Sequence, residues 1–267
     1  MLQNAVKPLL DSPLASQSDK LETKQSMKAV AIIPARLAST RLPRKVLREI
    51  AGKPLIGLVY EAVRSSPLLA DVIIATDSAE IMEVCRKRGW KAQITSSEHR
   101  SGTERVHEVS KSVVADVYVN VQGDEPLTRA EHIATLLEVM KNPSVTVGTV
   151  MTSAGAADIS NPNAVKVVTD LYGRALYFSR ATLPFDRDGT QPRYYKHLGV
   201  YAYREAALNR FVSLPESMLE QSERLEQLRF LENGIPIYVG ETPYDTVGVD
   251  TEQDLQRVAE ILQRGNR

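Results

Sequence analysis

One cysteine, Cys85, stands in a chain of 267 residues, so no intramolecular disulfide can form, and no Cys/His cluster has zinc-ligand spacing. A reducing cytoplasm suits such a chain. Net charge is also missing: Lys+Arg and Asp+Glu both number 33, so no global positive field draws the chain to DNA, RNA or an anionic membrane. No apolar run approaches the length of a membrane-spanning helix, and residues 1–26 lack the continuous apolar core of a secretory signal. That segment is polar and aperiodic, which predicts a flexible extension and leaves Met27 as a candidate functional start. Glycine is absent where a phosphate-binding loop would need it. The run IIPARLASTRLPRKVL (32–47) follows an apolar strand, yet it is neither a Walker loop nor a dinucleotide fingerprint.

With 43% hydrophobic residues, the remainder can bury a substantial core. From Lys28 the pattern alternates. AVAII (29–33), DVIIAT (71–76), KAQIT (91–95) and DVYVNV (116–121) read as strands. Between and after them lie helical periods: 54–64 with Pro54 in the first turn, a stretch with Ile81, Val84 and Cys85 inward, one from Thr103, and one with Ile133, Leu136, Leu137 and Met140 inward. Thr128 and Glu131 are the expected caps of the last. Cys85 reads as a core filler. Strands alternating with helices predict a parallel sheet covered on both faces. After about Thr146 the pattern changes. Residues 164–178 read as two strands joined through Asp170–Gly173, and 196–203 as another. Two helices follow, the second carrying Leu225, Leu228 and Leu231 and ending at Gly234; then come a strand at 235–240 and a closing helix with Leu255, Val258, Ala259 and Leu262 inward. The expected organisation is one domain over 27–267, with an antiparallel excursion at about 164–203.

Ligands of open α/β sheets bind at the carboxyl ends of the strands. Three loops qualify: 34–47, ATD (75–77) and QGDEP (122–126). In the first, Arg36, Arg41, Arg44 and Lys45 supply charge, and Ser39 and Thr40 supply hydroxyls, so side chains replace glycine backbone as anion ligands. A triphosphate matches that charge; a solvated basic loop is the alternative. A triphosphate also needs a hard cation, and Mg²⁺ takes one or two carboxylates. Asp124 can supply one, and Asp250 in VGVDTEQDL (247–255) the other. Read alone, Asp124 is a turn residue and Asp250 a helix N-cap.

Taken in order, IIPAR-x-AST-RLP-x-K, ATD, SGTER (101–105), VNVQGDEP (119–126), NPNAVKVV (161–168), ALYFSRATLPFDRD (175–188), KHLGVYAYR (196–204), LEQLR (225–229) and GVDT (248–251) resemble the CMP-Kdo synthetases, the 3-deoxy-manno-octulosonate cytidylyltransferases of lipopolysaccharide synthesis. The likeness runs from Met27 to the C-terminus, with one departure: the family loop commonly reads RLPGK, and Arg44 takes the glycine position. The resemblance implies an α/β, Rossmann-like nucleotidyltransferase fold with a mainly parallel sheet. It implies transfer of CMP from CTP to the anomeric hydroxyl of Kdo with release of pyrophosphate. Lys45, Arg36, Asp124 and Asp250 match catalytic positions; Arg36, Arg41, Lys45, Ser101, Arg105 and Gln122 match nucleotide-binding ones. Asp124 and Asp250 match the magnesium pair. Arg180, His197, Tyr201, Glu226 and Gln227 match blocks around the sugar acid, and a homodimer through the antiparallel region is implied as well.

The residues alone leave alternatives. Arg180 can be a surface partner of Asp186 or Asp188, His197 a satisfied core histidine, and Tyr201 both core and pocket wall. His99, His107 and His132 receive no role. Another sugar acid, sialic acid or an amino-substituted Kdo, is the rival substrate, and an inactive nucleotide-sugar sensor is the rival of a different class.

Overall fold

The computed structural model describes residues 27–39 and 41–265, so the flexible extension expected for 1–26 and the hydroxyl of Thr40 lie outside the described residues. The chain begins with β1 (Ala29–Ala35), a 3-10 turn at Lys45–Leu47, and a small hairpin of β2 (Glu49–Ile50) and β3 (Lys53–Pro54). Then follow α1 (Leu55–Arg64), β4 (Asp71–Thr76), α2 (Ala79–Arg88), β5 (Ala92–Ile94), α3 (Gly102–Ser110), β6 (Val117–Asn120) and α4 (Ala130–Val139). The later part holds β7 (Val147–Ser153), α5 (Ala156–Ile159), β8 (Lys166–Thr169), β9 (Ala175–Ser179), β10 (Tyr195–Tyr203), α6 (Glu205–Ser213), α7 (Met218–Glu223), α8 (Leu228–Glu232), β11 (Ile237–Glu241) and α9 (Glu252–Gly265).

The main sheet runs β11-β7-β10-β6-β1-β4-β5, with β8 and β9 extending from β10. Strands β5, β4, β1 and β6 are mutually parallel, β10 lies antiparallel to both β6 and β7, and β11 returns parallel to β7. The fold is therefore α/β. Both faces are covered. Along β1, Ala29, Ala31, Ile33 and Ala35 join the core beneath α1, α2 and α4, while Val30 and Ile32 join the core beneath α3, α6 and α8. This two-residue alternation, apolar on both sides, is why the strand reads as one unbroken hydrophobic run.

Three readings need correction. β7 was not expected. VGTVMTS is buried on both faces except at its end, so it lacks the polar alternation that marks a half-exposed strand. The helix carrying Leu225, Leu228 and Leu231 is broken: Arg224 takes a left-handed conformation at φ 54°, and only α8 resumes at Leu228. The start of α4 is closed neither by Thr128 nor by Glu131. His132 Nδ1 accepts from the Arg129 N–H at 3.1 Å, and its Nε2–H donates to Tyr244 O at 3.0 Å. Thr128 Oγ1 is buried without a partner.

A third, smaller core joins Leu42, Ile50, Leu55, Val249, Leu255 and Val258. It packs α9 and the hairpin under the basic loop, and thereby holds that loop's backbone over the ends of β1 and β6.

Gly57 of α1 has no room for a side chain, since a Cβ there would clash with the Trp90 ring, 2.8 Å from Cζ2. Gly57→Ala is expected to lower unfolding stability by about 1–3 kcal/mol through overpacking. Urea unfolding followed by the fluorescence of Trp90, the sole tryptophan, measures this; an unchanged midpoint would refute the tight packing.

Candidate active site

Above the carboxyl ends of β1 and β6 a cavity of about 310 Å³ is lined by Pro34, Arg36, Ser39, Arg41, Lys45, Gln122, Asp124 and Asp250, among others. Its centre is a charge cluster. Lys45 Nζ donates to Asp124 Oδ2 at 2.5 Å and to Asp250 Oδ1 at 2.9 Å, and Arg41 reaches the same Asp250 oxygen at 2.9 Å. The Lys45 side chain is only 13% exposed. Burial alone would lower its pKa, but the two carboxylates outweigh burial and hold the ammonium above its ordinary value. Arg36 is exposed and has no carboxylate partner among the described residues.

Backbone geometry fixes the two aspartates. Asp124 O accepts from Val249 N at 2.9 Å, joining the turn after β6 to the segment before α9. Gly123 approaches β1 so closely that a Cβ would lie 2.8 Å from Pro34 O. Asp250 is not an N-cap. Thr251 and Asp254 close α9 reciprocally, Asp254 N to Thr251 Oγ1 at 3.2 Å and Thr251 N to Asp254 Oδ2 at 2.9 Å, which leaves the Asp250 carboxylate free for the cavity.

Arg44 adopts φ 55°, ψ 31°, the left-handed region that favours glycine. The loop's lack of glycine is thus a matter of side-chain binding only; its backbone bends at position 44 as a glycine would. The guanidinium pairs with Glu80 at the start of α2.

A second cavity adjoins the first through Arg36, Gly102 and Gln122. Its other walls include Ser101, Glu226 and the α7 residues Glu220 and Gln221, with Arg100, Arg224 and Arg229. The last three were given no site role from the sequence, although Arg229 ends the LEQLR block, since Arg224 and Arg229 lie in what reads as ordinary helix. Arg229 is held by Glu220, and Arg100 reaches Glu216 at 3.7 Å. Glu226 lies in the turn between α7 and α8, where Thr103 Oγ1 donates to its Oε1 at 3.0 Å. Burial raises its pKa, and its Oε2 has no partner.

Other expected site residues do not reach either cavity wall. Arg105 is buried as a strut, bonded to Asp77, to Thr95 Oγ1 at 2.6 Å and to Ser96 O at 3.1 Å, which ties the ends of β4 and β5 to α3. Arg180 donates to the carbonyls of Glu223 at 2.7 Å, Pro162 at 3.0 Å and Arg224 at 3.4 Å, and pairs with neither Asp186 nor Asp188. His197 is a satisfied core histidine: its Nε2 donates to Thr149 Oγ1 at 2.9 Å, and burial pushes its pKa down to about 3. Tyr201 stacks on Tyr203 and meets the His197 ring at a tilt, and Gln227 is buried. None of these five side chains lines either cavity.

Glu125, beside Asp124, has its Oε2 enclosed without a partner, and its Oε1 would lie 2.8 Å from a Cβ at Gly199. Burial, reinforced by the Asp124 charge, pushes its pKa up to about 8. The unfolded carboxyl titrates near 4.5, so the stability contributed by this group is fully present below that value and is lost as pH rises through about 8. Glu125→Gln cannot ionise, and its melting temperature is expected to fall less between about pH 5 and about pH 9 than that of the parent. Parallel melting curves over that range would refute the buried, protonated carboxyl.

The profile of the cytidylyltransferase family matches residues 30–237. A 3-deoxy-manno-octulosonate cytidylyltransferase of Koribacter versatilis is 63% identical over 254 residues, covering 95% of this chain and 97% of that protein. The Escherichia coli protein of the same name is 44% identical, covering 88% and 96%. A solved CMP:2-keto-3-deoxy-manno-octonic acid synthetase in complex with CTP superimposes with a TM-score of 0.85 at 43% identity, covering 89% of this chain and 99% of that one. Profile, sequence identity and fold agree, and the chain belongs to the cytidylyltransferase family.

Proposed function

We propose that this chain transfers CMP from CTP to the anomeric hydroxyl of 3-deoxy-manno-octulosonate, releasing pyrophosphate and supplying CMP-Kdo for lipopolysaccharide synthesis. The observation that carries the reading is the meeting of Lys45, Asp124 and Asp250 in a cavity that also presents Arg36 and Arg41. Relatives named for this reaction, one of them holding CTP, support it.

In this reading the triphosphate lies along Arg36, Arg41 and Lys45. Guanidinium forks match phosphate oxygens, and the three cations meet the negative charge that builds on departing pyrophosphate. Magnesium fits Asp124 and Asp250, whose carboxylates already converge on one cation; when bound it lowers the pKa of the attacking hydroxyl and polarises the phosphoryl group. Gln122 and Arg36 face both cavities, so they can orient the reacting ends of nucleotide and sugar. The sugar acid takes the second cavity, with Ser101 and Glu226 toward its hydroxyls. Arg180, which clasps the α7–α8 junction, and His197, Tyr201, Gln227 and Arg105 support that cavity from behind.

A homodimer completes the proposal. Leu171, Tyr172, Leu176 and Phe185 are exposed on and beside the β8–β9 hairpin, an apolar patch suited to a second copy. The cytoplasm is the compartment that suits the free thiol of Cys85, which burial pushes up to about 11 and shields from oxidation.

Pyrophosphate release from CTP, measured with Kdo, an amino-substituted Kdo and a sialic acid, tests the assignment. Turnover with Kdo above the others is expected. Preference for another acid would overturn the substrate, and no release with any would overturn the enzyme. Asp124→Asn, Asp250→Asn and Lys45→Ala are each expected to cost at least ~100-fold in turnover. Arg44→Gly relieves a left-handed arginine and removes only an exposed ion pair, so it is expected to cost less than ~10-fold, appearing in the KM for CTP at low salt. Equal damage from Arg44→Gly and Lys45→Ala would contradict these roles.

A further inference from the structure

The ammonium of Lys45 lies where a divalent cation would have to sit. Its two contacts, 2.5 Å to Asp124 and 2.9 Å to Asp250, use one oxygen of each carboxylate, and Arg41 takes the same oxygen of Asp250. A magnesium ion shared by these carboxylates needs oxygens at about 2.0–2.1 Å, and two positive charges cannot share that space. One must leave. The backbone that carries Lys45 is anchored, since Leu42 and Val46 on either side are buried. Exchange is therefore a matter of the long lysine side chain changing rotamer, with the loop held.

Resting on the reading of this cavity as a triphosphate and metal site, we propose that Lys45 is a place-holder cation. In the nucleotide-free chain it occupies the metal position between Asp124 and Asp250, and the triphosphate vacates that position by drawing the ammonium onto its own oxygens. The consequence is coupling. Metal binds weakly until nucleotide arrives, and each promotes the other by the same factor, as linkage requires. The place-holder also has a structural use: it neutralises two carboxylates that would otherwise repel one another. Arg41 contributes to the same end at the Asp250 side, with less effect because it is largely exposed and touches one carboxylate alone.

The test measures Mn²⁺ binding to the full chain without nucleotide, from the loss of the free-ion electron paramagnetic resonance signal. Lys45→Met is expected to bind Mn²⁺ at least ~10-fold more tightly than the parent, within the usual range of coupling between sites. Lys45→Gln, which keeps a hydrogen-bonding group beside the aspartates and disturbs the fold less, is expected to shift in the same direction. Adding Asp124→Asn to Lys45→Met is expected to abolish the gain. Affinity in both lysine variants equal to or below that of the parent overturns the place-holder role. No Mn²⁺ binding by any of the proteins overturns the carboxylate pair as a metal site, and with it the proposed chemistry.

Discussion

Two carboxylates held within reach of one ammonium are the constraint on which the rest of the site depends. At ~5 Å and an effective dielectric constant near 20, two such charges repel by about 3 kcal/mol, so the fold tolerates them together only with a cation between. Lys45 supplies it, from a loop far from both aspartates in sequence. The Val249–Asp124 backbone bond and the absence of a side chain at Gly123 then fix where the aspartates meet it.

The sheet explains why these segments converge. Strands β1 and β6 are parallel neighbours, so the basic loop and the QGDEP turn leave the sheet at the same edge. The third core pins α9 under the basic loop and brings Asp250 to that edge from the end of the chain. The antiparallel strand β10 beside β6 contributes Gly199, whose lack of a side chain leaves room for Glu125. Its inward residues His197 and Tyr201 begin the aromatic row that continues through Tyr203 to Phe230 under the second cavity.

Periodicity made the parallel half of the sheet legible, because β1, β4 and β6 are short apolar runs between helical periods. β7 escaped because Gly148 and three threonine or serine residues dilute its apolar signal, although the strand is buried; Gly148 is there to let Met140 approach. The break at Arg224 escaped because a left-handed arginine leaves no mark in a leucine stripe. That Asp124, Asp250 and Lys45 meet was legible from chemistry, on the expectation that a triphosphate and a hard cation would need them together. Arg105, Arg180 and His197 were not legible in the same way. A charged or titratable side chain reads identically whether it faces a ligand or a buried carbonyl, and only the partners supplied by the fold decide between them. Arg44 marks a related limit, since neither its left-handed backbone nor its pairing with Glu80 is encoded within the loop itself.

The central claim is that Lys45, Asp124 and Asp250 form one site that trades its own ammonium for a metal when CTP binds. A crystal structure of the chain with CTP and Mn²⁺, with anomalous scattering recorded for manganese, tests it most directly. The account predicts an anomalous peak between the Asp124 and Asp250 carboxylates, with Lys45 Nζ moved onto a phosphate oxygen. A structure with CTP bound while Lys45 still bridges the two aspartates, and manganese elsewhere, would contradict it.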